Sequence, residues 1–285
     1  MGFVHPSGVS QLVQIALQED VGRGDFTTEW IVNPRQMAVA NVYVKQSGRV
    51  AGLPVMDEVF HGIDPQVGVV HLVEDGTDVV GETAVARLSG RAGSILTAER
   101  TALNFLGRLS GIATTTREAV KELDGYHTRL LDTRKTTPGW RLLEKYAVRV
   151  GGAVNHRFGL DDMVLIKDNH VVLAGGIREA IRRVRERQSL SMKVEVEVES
   201  LAQLDEALAE GVDMVLLDNM DLDVMREAVR IVNKRVRLEA SGGITVERLA
   251  EVAATGVDYI SMGALTHSAV SLDVGLNITF TESGQ

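Results

Sequence analysis

The sequence predicts a two-part α/β chain: a mainly antiparallel sheet, then a parallel α/β barrel that is complete or lacks part of its ring. Three observations lead there. Short runs between Met37 and Leu88 alternate or stay apolar over strand lengths and are split by turn residues such as Asp75-Gly76. From His127 onward strand-length runs alternate with helical segments, which demands parallel strands with right-handed crossovers, in an open doubly wound sheet or a barrel. No Gly-x-Gly-x-x-Gly follows any of these strands, which favours the barrel, with its site at the carboxyl ends of the strands.

Taken in order, Ser10 to Asp20 reads as an amphipathic helix with Leu12, Val13, Ala16 and Leu17 on one face. Strands follow at Met37 to Lys45, Val67 to Val73 and Ala84 to Leu88, with a short helix from Pro54 to His61. Gly93 to Leu109 reads as a long helix linking two domains, because Ile95, Leu96, Leu103, Phe105 and Leu106 recur near the helical period. The barrel strands are Leu130-Leu131, Val164 to Ile166, Val194 to Val198, Met214 to Leu217, Val236 to Leu238 and Tyr259 to Met262. Leu272 to Thr281 alternates like a strand that returns to the first domain. The resulting division is residues 1–110, 111–270 and 271–285.

Composition narrows the function. The 285 residues carry a formal net charge of -9, so any anion must be held by a local cluster, and a general nucleic-acid or membrane-surface role is disfavoured. The absence of cysteine excludes disulfides and thiolate metal sites and fits a cytoplasmic location. No run approaches the roughly 20 apolar residues of a membrane span, and no leader is read at the amino terminus. Gly2 as a lipidation site and the sequon Asn277-Ile278-Thr279 are read as chance matches, and His5, His61 and His71 as structural.

Three constellations carry chemistry. Thr133-Arg134-Lys135-Thr136-Thr137-Pro138-Gly139 follows one barrel strand, and Asn155-His156-Arg157 and Lys167-Asp168-Asn169-His170 follow later. Between Thr133 and Arg157 six Lys or Arg face one acid, Glu144, against the charge of the whole chain. Arg141, Lys145 and Arg149, spaced at four residues on a helix, read as a plain solvated face. Arg134, Lys135, Arg157 and Lys167 do not, because they sit at strand ends or in loops where a barrel gathers its site; the arginine fork suits carboxylates. Ala240-Ser241-Gly242-Gly243-Ile244-Thr245 and Met262-Gly263-Ala264 are glycine-bearing βα loops whose N–H groups, with the following helix start, suit a phosphate. Glu195, Glu197 and Glu199 share one face of a strand, and Asp218 closes the next; hard carboxylates there suit Mg2+ or ribose hydroxyls. Asp161-Asp162 reads as a turn signal.

These motifs, with Glu144-Lys145-Tyr146-Ala147-Val148, Leu217-Asp218-Asn219-Met220, Gly263-Ala264-Leu265-Thr266-His267, Glu19 to Thr28 and Glu99 to Leu106, resemble the quinolinate phosphoribosyltransferase family over nearly the whole chain. The resemblance implies an open α/β sandwich followed by an incomplete α/β barrel. It implies a homodimer with shared active sites, with higher assembly left open, in which Arg100 reaches the partner's site. It places Arg134, His156, Arg157 and Lys167, together with Arg100 and Thr133, at quinolinate. Lys135, Glu197 and Asp218 fall at the ribose, pyrophosphate and Mg2+, the last two as metal ligands. Ser241, Gly242, Gly243, Met262, Gly263 and Ala264 fall at the 5′-phosphate of phosphoribosyl pyrophosphate. The implied reaction is decarboxylating phosphoribosyl transfer giving nicotinate mononucleotide. Trp140, Ala153 and Ala240 depart from the usual Leu, Gly and Ser without removing a charged ligand. The rivals are a phosphoribosyltransferase for a mono-acid such as nicotinate, a molybdenum-linked relative of the same fold, and a non-catalytic phosphate-sensing barrel. The role of Glu195 stays open.

Overall fold

The computed structural model describes residues 6–280; Gly2, His5 and Thr281 lie outside that range. The chain divides into two compact units. The first comprises residues 1–117, 136–152 and 266–285, and the second residues 118–135 and 153–265. Labels below follow chain order.

In the first unit α1 (Pro6–Val21) buries Val9, Val13 and Leu17, one residue per helical turn, and packs against α3 (Leu53–Ile63). Leu12 and Ala16 are only half-buried, so the inward face is rotated from the expected one. The short α2 (Phe26–Ile31) is N-capped by Asp25, whose carboxylate accepts from Thr28 N at 3.0 Å. Strand β1 (Met37–Val44) is central: it pairs antiparallel with β5 (Thr83–Arg91) and with the tail strand β12 (Val274–Phe280). β3 (Gly68–His71) lies outside β5. Ala38, Ala40, Val42 and Val44 point into the core on the alternate positions that a half-buried strand requires. A second small sheet, β2 (Gly48–Arg49) with β4 (Asp78–Val79), has too few residues to leave a periodic signal.

The helix expected to stop at Leu109 is α4 (Ala92–Lys121), thirty residues long. Its glycines explain why the period fades. A Cβ on Gly107 would meet Leu272 O at 2.8 Å, and one on Gly111 would collide with Val270 O, so both keep the helix backbone against the 270–272 segment.

Helix α5 (Arg141–Gly151) corrects the reading of Arg141, Lys145 and Arg149 as a solvated face. Lys145 is buried, Arg141 is half-buried with Nε donating to Thr136 Oγ1 at 3.0 Å, and Arg149 alone of the three is exposed. Every residue from Leu143 to Val148 is buried, so the helix is enclosed on nearly all sides and offers no free polar face. Buried Glu144 accepts from Thr137 N at 3.0 Å and from Arg108 Nη2 at 2.8 Å, and Arg108 also donates to Thr266 O and Ala269 O. Trp140, one of the departures, stacks on Phe105 with centroids 4.7 Å apart, an arrangement worth about 0.5–1.5 kcal/mol beyond burial.

The second unit holds six parallel strands: β6 (Arg129–Leu131), β7 (Val164–Ile166), β8 (Val194–Val198), β9 (Met214–Asp218), β10 (Arg237–Ser241) and β11 (Tyr259–Ser261). Their order is β6-β11-β10-β9-β8-β7. From β7 to β11 consecutive strands are neighbours, and β11 returns beside β6, while β6 and β7 are not paired and leave the ring open between them; a doubly wound sheet would instead reverse its order partway. A single parallel bridge, Leu131 to Val154, extends the ring beyond β6. Between the strands run α6 (Asp168–Ala174), α7 (Ile177–Arg185), α8 (Leu201–Ala209), α9 (Leu222–Val232) and α10 (Leu249–Ala253), and α11 (Ala264–His267) follows β11. Among the described residues no helix is long and apolar enough to cross a membrane.

Candidate active site

Parallel register brings the carboxyl ends of the second unit's strands to one edge. Thr133, Arg134 and Lys135 follow β6, Asn155 to Arg157 follow the Val154 bridge, and Lys167 follows β7. Asp218 ends β9, Ser241 ends β10, and Met262 follows β11 with its N–H on Leu131 O at 3.0 Å. The pairing Ser241 to Asp218 and Glu197 to Leu216 puts Glu195, Glu197, Asp218, Glu239 and Ser241 on the same face of the sheet. Glu195 is buried in that face and Glu197 nearly so, whereas Glu199 lies past the strand and is exposed.

The cations gather around this acidic floor. Lys167 Nζ donates to Glu197 Oε2 at 2.5 Å. Arg157 Nη1 donates to Met163 O at 3.1 Å. Burial first, and then the nearby Arg134, push the Arg157 guanidinium below its ordinary pKa. Arg134 Nε is buried without a hydrogen-bond partner. Two like charges near one another and one orphaned donor suit an anion chemically, because a carboxylate would relieve the repulsion and satisfy the donor together. Thr133 Oγ1 accepts from Lys135 N at 3.0 Å and bends this loop back on itself.

His156 sits at the centre of a cluster of buried acids. Its Nε2 lies 3.0 Å from Glu195 Oε2 and 3.3 Å from Glu239 Oε2, both carboxylates being buried. Burial alone would lower the imidazole pKa, but the hydrogen bond to Glu195 and the adjacent Glu239 carboxylate, whose Oε2 is otherwise without a hydrogen-bond partner, outweigh it and raise it to about 10. One contact opposes this: Arg157 N, 2.7 Å from Nδ1, suits an acceptor there, but a single backbone dipole is weaker than two carboxylates. Burial, together with repulsion from Glu239, holds Glu195 above the usual carboxylate range despite its bond to His156.

The glycine loops take the expected position with less helix behind them. Gly242 and Gly243 have φ of 100° and 57°, and a Cβ on Gly242 would run into Asn219 Oδ1. Asn219 N donates to Ser241 O at 3.0 Å, so the end of β9 locks the turn after β10. A single 3-10 turn, Val246–Arg248, and the five-residue α10 follow Ser241, and α11 after Gly263 has four residues. Their dipoles are small, and the loops offer chiefly backbone N–H groups.

Arg100 stands on α4 of the first unit and is exposed. Asp161-Asp162 is a turn: Asp162 accepts from Phe158 N and from Gly159 N at 3.0 Å. His61 Nε2 lies 3.1 Å from Val67 O, and His71 Nε2 lies 2.8 Å from Asp57 Oδ1. Sequence reasoning assigned no role to Asp132 and Glu239. Asp132 is fully buried and accepts from Asn155 Nδ2 at 2.7 Å and His156 N at 2.8 Å. For Glu239 the available signal was the one applied to Glu195, an acid inside a strand covered on both faces, whereas Asp132 follows β6, which ends at Leu131.

Comparison with known proteins identifies the family and the fold. Residues 25–110 match the N-terminal domain and residues 112–277 the C-terminal domain of quinolinate phosphoribosyl transferase. The chain is 44% identical to a probable nicotinate-nucleotide pyrophosphorylase [carboxylating] of Synechocystis over 92% of this chain and 90% of that one. It is also 44% identical to one so named from Bacillus subtilis, over 92% and 91%. The crystal structure of NadC from Streptococcus pyogenes superposes with a TM-score of 0.96 at 40% identity, covering 99% of this chain and 100% of that one. With both domain models matched in order and relatives aligned over nearly their full length, the chain belongs to the quinolinate phosphoribosyltransferase family.

Proposed function

We propose that this protein transfers phosphoribose from phosphoribosyl pyrophosphate to quinolinate with decarboxylation, giving nicotinate mononucleotide, pyrophosphate and carbon dioxide for NAD synthesis. The observation that carries this reading is the crowding of Arg134 and Arg157 at one strand edge, with Arg134 Nε unpaired. A dicarboxylate would bridge the two forks, and Lys167, bonded to Glu197 after β7, adds a third cation at the same strand edge. Thr133 and His156 complete this quinolinate set. Arg100 joins it from a second copy of the chain in a homodimer; its exposure in the first unit supports that role.

The 5′-phosphate of the second substrate is held by Ser241, Gly242, Gly243, Met262, Gly263 and Ala264, where the positive φ of Gly242 and Gly243 opens the backbone of their turn to a phosphate. Glu197 and Asp218, hard carboxylates on neighbouring strands, would hold Mg2+, a metal that takes one or two carboxylates and completes its shell with water and substrate phosphates. Bound there, the metal would supply charge neutralisation at the pyrophosphate. Lys135 does the same from the β6 loop. Glu197 and Asp218 also stabilise the positive charge that develops on the ribose as its bond to pyrophosphate breaks. The pyridine nitrogen then bonds to the anomeric carbon and becomes cationic. That charge draws the electron pair of the C2–carboxylate bond onto C2; carbon dioxide leaves and C2 takes up a proton. The arginines contribute by orientation, which supplies much of the rate in a transfer between two bound substrates. The reading places the enzyme in the cytoplasm, which its lack of cysteine suits.

Incubation with quinolinate, phosphoribosyl pyrophosphate and Mg2+ tests the reaction. Formation of nicotinate mononucleotide is the expected result, and its absence would overturn the assignment.

A further inference from the structure

Strands β8 and β10 are separated by β9, hence by roughly 10 Å, twice the strand spacing. Glu195 rises from β8 and Glu239 from β10, and the two carboxylates meet on one nitrogen of His156. The other ring nitrogen faces Arg157 N at 2.7 Å. His156 is also fixed through its main chain, because its N–H donates to Asp132 Oδ1 and the preceding Asn155 donates to Asp132 Oδ2. Three buried carboxylates, from β8, β10 and the residue after β6, therefore fasten two consecutive residues, and the next residue is Arg157.

An acidic floor under a site for a dicarboxylate opposes binding electrostatically, so these acids need a reason to be there. Glu195 Oε1 is buried with no hydrogen-bond partner, which is itself costly. Geometry supplies the reason. Loop 155–159 leaves the sheet after a single bridge at Val154, with no regular ladder of its own, and it carries the guanidinium beside Arg134. We propose that Glu195, Glu239 and Asp132 are positioning residues that use His156 as a pin, fixing Arg157 at the spacing from Arg134 that a dicarboxylate requires. His156 in this role acts through Arg157, in addition to its own proposed place in the quinolinate set. The inference rests on the proposed use of quinolinate.

The test uses Glu195→Gln and Glu239→Gln, which keep side-chain shape and remove the charge. The expected result is a rise in the KM for quinolinate of about tenfold to a hundredfold with the KM for phosphoribosyl pyrophosphate unchanged, as for displacement of a substrate-orienting group. Adding Glu239→Gln to Arg157→Lys should then cost little further, because both changes act on the same guanidinium. Amide hydrogen exchange over residues 155–159 should accelerate in both single variants, a readout that needs no turnover. Equal increases in both KM values, a lowered Tm with unchanged KM, or unchanged exchange would overturn the proposal. So would stoichiometric metal in the purified protein that Glu239→Gln removes, since the three side chains could also ligate an ion. Failure of wild-type protein to use quinolinate would refute the reaction, while the exchange measurement would still judge the pin.

Discussion

His156 shows how a single side chain links burial, charge and stability. Its pKa rises to about 10 in the folded chain because Glu195 and Glu239 outweigh the cost of burial. In the unfolded chain it titrates near about 6.5. The folded state therefore binds the proton more tightly, so this contribution to stability is fully present below about pH 6.5 and is lost as pH rises through about 10. Thermal denaturation of wild type and His156→Gln across this range checks the sign. Wild-type Tm should fall on the alkaline side more steeply than that of the variant, and parallel curves would contradict the assignment. At this scale the cations were legible in the sequence, because Arg134, Lys135, Arg157 and Lys167 run against the charge of the chain. Of the buried acids, Glu195 was legible beside Glu197 and Glu199, whereas Asp132 and Glu239 were not. Glu239 lies beyond the point where the apolar run ends at Leu238, yet β10 continues to Ser241, since strand pairing with β9 outlasts the hydrophobic pattern.

Among the elements, α4 is where local propensity and packing conflict. A glycine inside a helix costs about 1 kcal/mol relative to alanine, so propensity alone predicts that Gly111→Ala stabilises the protein. Contact with Val270 O predicts the reverse, and the contact should win because helix and tail backbones cannot both yield without shifting the 270–272 segment. A drop in Tm corresponding to about 1–3 kcal/mol is expected in chemical or thermal unfolding, and a gain would show that the segment moves aside freely. The same glycines account for the early end assigned to this helix, as period is a weak guide where a close backbone replaces side-chain packing. Helix α5 was misread for a related reason. Spacing places Arg141, Lys145 and Arg149 along one face, but spacing does not report whether that face is covered, and here Lys145 is enclosed. The barrel strands were the easiest elements to read, since β7 is an apolar run and β8 alternates valine with glutamate over a strand length.

For the whole molecule, the sequential order of the parallel strands gathers residues from positions 133 to 264 at one edge, and one residue of the proposed set, Arg100, is assigned to a second copy. That assignment has a direct consequence. Arg100→Ala and Lys135→Ala should each be inactive alone, but mixing them under exchange conditions should restore about a quarter of wild-type activity, because half the dimers are then mixed and each has one intact site. No recovery in dimers shown to have exchanged would count against sharing. The central claim, decarboxylating transfer to a dicarboxylate, is tested most directly by following carbon dioxide released from quinolinate labelled in its C2 carboxylate, with phosphoribosyl pyrophosphate and Mg2+ present and nicotinate as the competing acceptor. The account predicts one carbon dioxide for each pyrophosphate formed and little turnover of nicotinate. Pyrophosphate formed without labelled carbon dioxide, or nicotinate used as well as quinolinate, would contradict it.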